Sequence, residues 1–432
     1  WSSDVCSSDL IHARLLNILF KNQVLKQGSF NCDIEYHTDN TSKITGNMEF
    51  RNIDIPVFDT VIKNIKINAN NENINLNLFG YISDEKINIK STLKNNLSDK
   101  PNFESLNLYA DTIDLNKFLN TLSKAHNAIN IKNEQNNIDI SRLLITKGHI
   151  EVKELIIKSM NSNNVSADFS IDKDGIFNAE NITIDIGQGN IKGNALYNLK
   201  TTDTSGSFEL NNVDANYVSE TLFDGKNQIY GNSNGRIYIR TKGTNSGERI
   251  KNLFGIVIFE ISDGRMPKLG SLEYLLRASN IIKSGITGLT LNSVLELLNL
   301  VKTGYFSTIN GNCTIENGIA DNIEIFSKGE NLSLYIHGKY DINKTHADME
   351  ILGKLSRHIS TIFGALGNTS LNTFFKLIPG ISLFDFGRRN FIEDVEKIPS
   401  FTNGDYESRI FQAIIDGNIN DSDYVKSFKW VK

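Results

Sequence analysis

The run from Asn64 to Ile82, NIKINANNENINLNLFGYI, decides how the chain is read. Ile65, Ile67 and Ala69 alternate with polar residues, an Asn-Asn turn intervenes, and Ile74, Leu76 and Leu78 resume the alternation on the return. Successive side chains of a strand point to opposite faces, so a period of two places all six on one side of a hairpin. What covers that apolar side decides what the protein does.

The same texture continues from about Ser42 to Gly264. Ile87 and Ile89, Leu106 and Leu108, Ile182 and Ile184, and Ile237 and Ile239 each flank one polar residue. Clusters of Asn, Asp, Gly and Lys separate the runs, and Lys173-Asp174-Gly175 and Ser262-Asp263-Gly264 read as hairpin turns in which Gly accepts positive φ. One helical interruption, LNKFLNTLSKAHNAI, sets Leu115, Phe118, Leu119 and Leu122 at helical spacing. Short turns make sequence neighbours into sheet neighbours, so the chain grows sideways as a meander. About 20 strands spaced ~4.8 Å apart would extend on the order of 100 Å, and a twisted sheet of that size curls. The expected fold is mainly β: a long curled antiparallel sheet forming a hydrophobic groove, with a few short amphipathic helices mostly towards the C-terminus.

From about Lys251 helical periodicity appears in SLEYLLRASNII and LNSVLELLNLV. A three-strand meander follows, through Ile323 and Ile325, then Leu332, Leu334 and Ile336, then Met349 and Ile351. A last helical stretch, RHISTIFGALGNTSLNTFFKLIPGISLF, ends at Pro379. Residues 1–10, WSSDVCSSDL, resemble a translated adapter sequence and are set aside as non-native. The expected organisation is a repetitive β-groove over residues 11–250 and a second region with helices and a meander over 251–432.

Three segments together carry a family resemblance: IGQGNIKGNALYNL, LNNVDANYVSETL and LFGIVIFEISDGRMPKLGSLEYLLRASNI, followed by ENGIADNIEIFSKGENLSLYIHGKYDI. In this order they resemble the C-terminal region of AsmA-like proteins, the group of AsmA, TamB and YhdP in diderm bacterial envelopes. The specific match covers about residues 180–385, with a looser textural match upstream to about residue 40. The resemblance implies a bridge-like lipid transfer protein. It further implies phospholipids as partners, a periplasmic location, an inner-membrane anchor through an N-terminal helix expected upstream of the non-native start, and contact with outer-membrane components.

On that reading the track residues are Ile65, Ile67, Ile74, Leu76, Ile182, Ile184, Ile237, Ile239, Leu332, Leu334 and Ile336, and Phe374 and Phe375 are the membrane-contact candidates. The same residues could instead fill a β-sandwich scaffold that holds no lipid, and exposed strand edges could serve outer-membrane protein assembly. Lys and Arg are scattered among Asp and Glu at a net charge of −5, without the basic stripe that binds phosphate backbones, so no nucleic-acid partner is expected.

No enzyme and no cofactor are expected either. Gly187-Gln188-Gly189 precedes an alternating run, where a dinucleotide loop would need a helix. The seven histidines form no HExxH, and Asp172 and Asp174 lack the remaining ligands of a calcium loop. Cys32 and Cys313 read as strand-buried thiols, with a disulfide as the alternative.

Overall fold

The computed structural model describes residues 11–12, 27–37, 43–55, 59–95, 101–117, 143–157, 160–223, 229–266, 304–357, 394–418 and 425–431. The described residues are mainly β, in twenty strands with few short helices. The chain divides into two compact units, Trp1–Thr204 and Ser205–Lys432.

The first unit holds β1 (Ile11–His12), β2 (Gln27–His37), β3 (Lys43–Ile55), β4 (Thr60–Ala69), β5 (Asn73–Ile82), β6 (Glu85–Lys94), β7 (Asn102–Asp114), β8 (Leu144–Ile157), β9 (Met160–Ile171), β10 (Ile176–Ile186) and β11 (Gly189–Asn198). Each pairs with the next in chain order. The opening sequence forms the β4–β5 hairpin, with Ile65 opposite Leu78, Ile67 opposite Leu76 and Ala69 opposite Ile74. Asn70 makes the turn: its Oδ1 accepts the N–H groups of Glu72 (2.9 Å) and Asn73 (2.8 Å). Asn95 is buried beside this turn, where its N–H donates to the Glu72 carbonyl at 2.8 Å and its Oδ1 accepts the Ile44 N–H at 3.1 Å.

One pairing departs from the expected antiparallel sheet. β7 and β8 are parallel, because segment 115–143 links the end of β7 to a strand that begins beside the start of β7, a crossover that only a long connection allows. Asp114 starts that crossover: its Oδ1 accepts the N–H groups of Asn116 (3.0 Å) and Lys117 (3.1 Å), opening a helical turn at Leu115–Lys117.

The second unit holds β12 (Thr204–Asp214), α1 (Ala215–Phe223), β13 (Tyr230–Thr241), α2 (Ser246–Lys251), β14 (Phe254–Arg265), β15 (Tyr305–Glu316), β16 (Ile319–Gly329), β17 (Leu332–Asp341), β18 (His346–Ser356), β19 (Ser408–Asn418) and β20 (Val425–Trp430). From β13 to β20 every consecutive pair is antiparallel, and the expected meander is β16–β17–β18. Asp214 caps α1 as Asp114 caps its own helical turn, its Oδ1 accepting the Asn216 N–H at 2.8 Å. The helices expected in 267–303 and 358–393, with Phe374 and Phe375, lie outside the described residues.

A second correction concerns Ser262-Asp263-Gly264. These residues are no turn: they lie within β14, and Asp263 takes φ 49 inside the strand. The same device recurs at Asn52, Asn164, Asn181, Asn212 and Asn322, all within strands at φ 48 to 53. At Asn181 and Asn322 it coincides with a register shift. Each is a β-bulge, in which Asn or Asp supplies the left-handed residue because its short polar side chain tolerates that region best after Gly. The unpaired N–H finds a neighbour's amide at two of them: Asn181 donates to Asn194 Oδ1 at 3.2 Å, and Asn212 to Asn234 Oδ1 at 2.9 Å.

Candidate functional site

Registers connect the alternating positions into continuous apolar rows. In the first unit one row runs Cys32, Met48, Ile67, Leu76, Ser91, Leu106, Gly148, Phe169 and Ala179, each opposite the next. Ile65 and Ile74 lie in the rows on either side of it. Ile182 and Ile184, beyond the Asn181 bulge, face the same way opposite Gly193 and Ile191.

In the second unit the matching row is Gly235, Phe259, Gly311, Ile325, Ile336, Ile351 and Ala413. Ile237, Ile239, Leu332 and Leu334 share its face. Thus all eleven expected track residues fall on the apolar face of their own unit, six in the first and five in the second.

Burial across this face is uneven. Of the eleven, Leu332 is buried and the other ten are half-buried. In the first unit the margin row of Ile62, Gly80, Ile87, Ala110 and Val152 is fully buried, while the Ile and Leu side chains of the middle rows keep part of their surface accessible. In the second unit Leu355 and Phe411 are buried at 1% and 5% exposure.

The opposite face of the first unit is charged and wet. Glu49, Lys66, Asn77, Lys90, Asn107, His149 and Asp168 stand in one cross-strand row. Hydrogen bonds from Arg51 (2.7 Å) and Asn64 (2.8 Å) pull the Glu49 carboxyl down from 4.5 to about 2. Hydrogen bonds from Lys153, at 2.6 Å, and Lys86, at 3.3 Å, lower Asp111 in the same way. This face has the character of a solvated surface.

The opposite face of the second unit is partly covered. The turn Val395–Lys397 and the residues after it lay Ile398 over Tyr335 and Leu352, which are 2%, 1% and 0% exposed. Tyr335 stacks between Phe326 and His337, at centroid distances of 4.9 and 5.0 Å, and burial pushes its hydroxyl up. Beside it an open hollow of about 510 Å³ is lined by Glu209, Asn234, Arg236, Glu260, Asn310 and Asn312, among others. Its lining is mostly on the polar side, and Gly235, Phe259 and Gly311 of the apolar row also border it.

The remaining sequence candidates resolve into local structure. Gly187 and Gln188 are the turn between β10 and β11, with Gly187 at φ 59. Asp172 is a turn former, its Oδ1 accepting the N–H groups of Asp174 (2.8 Å) and Ile176 (2.9 Å). Cys32 and Cys313 are half-buried and form no disulfide, and burial pushes the Cys313 thiol up. Among the described residues no group of His, Cys, Asp and Glu is placed to hold a metal ion, and no helix is long and apolar enough to cross a membrane.

Two features of the apolar face escape an alternation count. The bulges shift its phase, and Phe169, Phe259 and Phe411 each stand opposite a glycine. The chain matches no protein-family model and no curated protein.

Proposed function

We propose that this protein carries phospholipid acyl chains along the apolar faces of its two units. The observation that carries the reading is an apolar face in each unit on which ten of the eleven track residues stay half-buried, backed in the first unit by a charged face. Each methylene moved from water onto such a surface gains about 0.8 kcal/mol, so equivalent positions along the rows let a chain slide while its headgroup stays wet. No covalent step is needed. A sandwich of two separate sheets is not what the described strands of the first unit make: they pair consecutively in one sheet. The resemblance to AsmA-like proteins adds the setting: a periplasmic protein held at the inner membrane and passing lipid towards the outer one.

Lipid extraction and mass spectrometry on the purified protein test the reading. Phospholipid at about one or more per chain is the expected result, and a lipid-free folded protein would sink it. Ile184→Asp and Leu334→Asp should each strip lipid while leaving the protein folded, since a carboxylate on an open face keeps its water.

A further inference from the structure

We propose that phenylalanine rings laid across glycines keep the apolar faces shallow and set the clearance open to an acyl chain, a proposal that rests on the lipid reading above. Three cross-strand pairs carry it: Gly148 with Phe169 in the first unit, and Gly311 with Phe259 and Gly353 with Phe411 in the second. At each glycine an added Cβ would run into the ring of its partner. The ring therefore occupies the space directly above the neighbouring strand and does not stand away from the sheet.

Backbone geometry does not demand these glycines. None of the three has positive φ, so an alanine would fit the main chain, and the ring is the nearest obstacle at each, with Ile325 and Leu334 also close at Gly311 and Gly353. Phe259 has glycine on both sides, Gly235 and Gly311. Gly264 and Phe306 repeat the arrangement in the cluster of Ile261 and Ile309. A large aromatic placed this way adds apolar surface without height. An alanine at the glycine would tip the ring into the space above the face.

Aromatic cover of a strand glycine also stabilises sheets on its own account, so the test needs a readout that stability alone does not move. The full chain is purified as wild type, Gly311→Ala, Phe259→Ala and the double variant. Phospholipid per folded chain is measured by mass spectrometry, beside circular dichroism and Tm. Gly311→Ala should lose about tenfold of its lipid while Phe259→Ala and the double variant stay near wild type, because removing the ring removes the obstruction.

A folded Gly311→Ala with a full lipid load overturns the proposal, and so does a folded double variant as poor in lipid as the single one. Phe259→Trp adds bulk without touching the glycine, so it serves where Gly311→Ala does not fold: lipid loss supports the proposal and a full load overturns it. A lipid-free wild type would instead remove the reading underneath, and this proposal with it.

Discussion

Strands β17 and β18 present two different interiors on their two sides. On one, Tyr335 and Leu352 are sealed under Ile398 at 1% and 0% exposure. On the other, Ile336 and Ile351, the very next residues in one case and the preceding one in the other, remain half-buried. The same strands thus seal part of one side under a short segment, while on the other side they bury Leu332 and Leu355 and leave Ile336 and Ile351 half-buried. Close packing of the first kind is what a folded interior ordinarily reaches. The half-buried Ile336 and Ile351 positions are unlike it.

The contrast breaks most sharply at Leu352. Leu352→Ala should cost about 2–5 kcal/mol in chemical denaturation, the range for emptying a sealed site. Next in size is the bulge at Asn181. Asn181→Val should cost about 1–2 kcal/mol, because a β-branched residue resists the left-handed region, while Asn181→Gly should be close to neutral; equal effects would remove the conformational explanation. Ile336→Ala should cost only about 1 kcal/mol, since part of its side chain is already in contact with solvent. A loss matching that of Leu352→Ala would mean that the apolar side is a closed interior after all.

The smallest expected effect is on the charged side. Glu49 has its carboxyl lowered to about 2, so it favours the folded state above its unfolded value near 4.5, and that contribution fades as pH falls towards 2. Glu49 is partly exposed, and its partners Arg51 and Lys66 are largely in solvent, so its ion pairs are screened. Comparing urea midpoints of wild type and Glu49→Gln from pH 5 to pH 2 should show a small gap at the upper end that closes at the lower; a gap constant with pH would contradict the assignment.

Much of the fold was legible because a period of two survives in the sequence. Ile65, Ile67, Ile74 and Leu76 could be assigned to one face from spacing alone, and the registers agree. What alternation could not supply was its own interruptions. Asn181 and Asp263 look like turn residues, yet they sit inside strands. The signal was present as a slip: Ala179 to Ile182, Leu210 to Val213 and Ala320 to Ile323 are spaced by three, with Asn before the second residue in each case. The parallel β7–β8 pairing was hidden for another reason, since strand direction depends on where a long connection returns and leaves no mark on either strand. The Phe–Gly pairs were equally invisible, because their partners meet only once the register is known.

That parallel pairing has a consequence for how the first unit assembles. Every other pairing from β2 to β11 joins strands linked by a short connection, so those contacts can form as local hairpins at small loop-closure cost. The seam between β7 and β8 must wait for segment 115–143 to bring its ends together. Refolding should accordingly produce two hairpin arrays early, and their joining along this one seam should limit the rate.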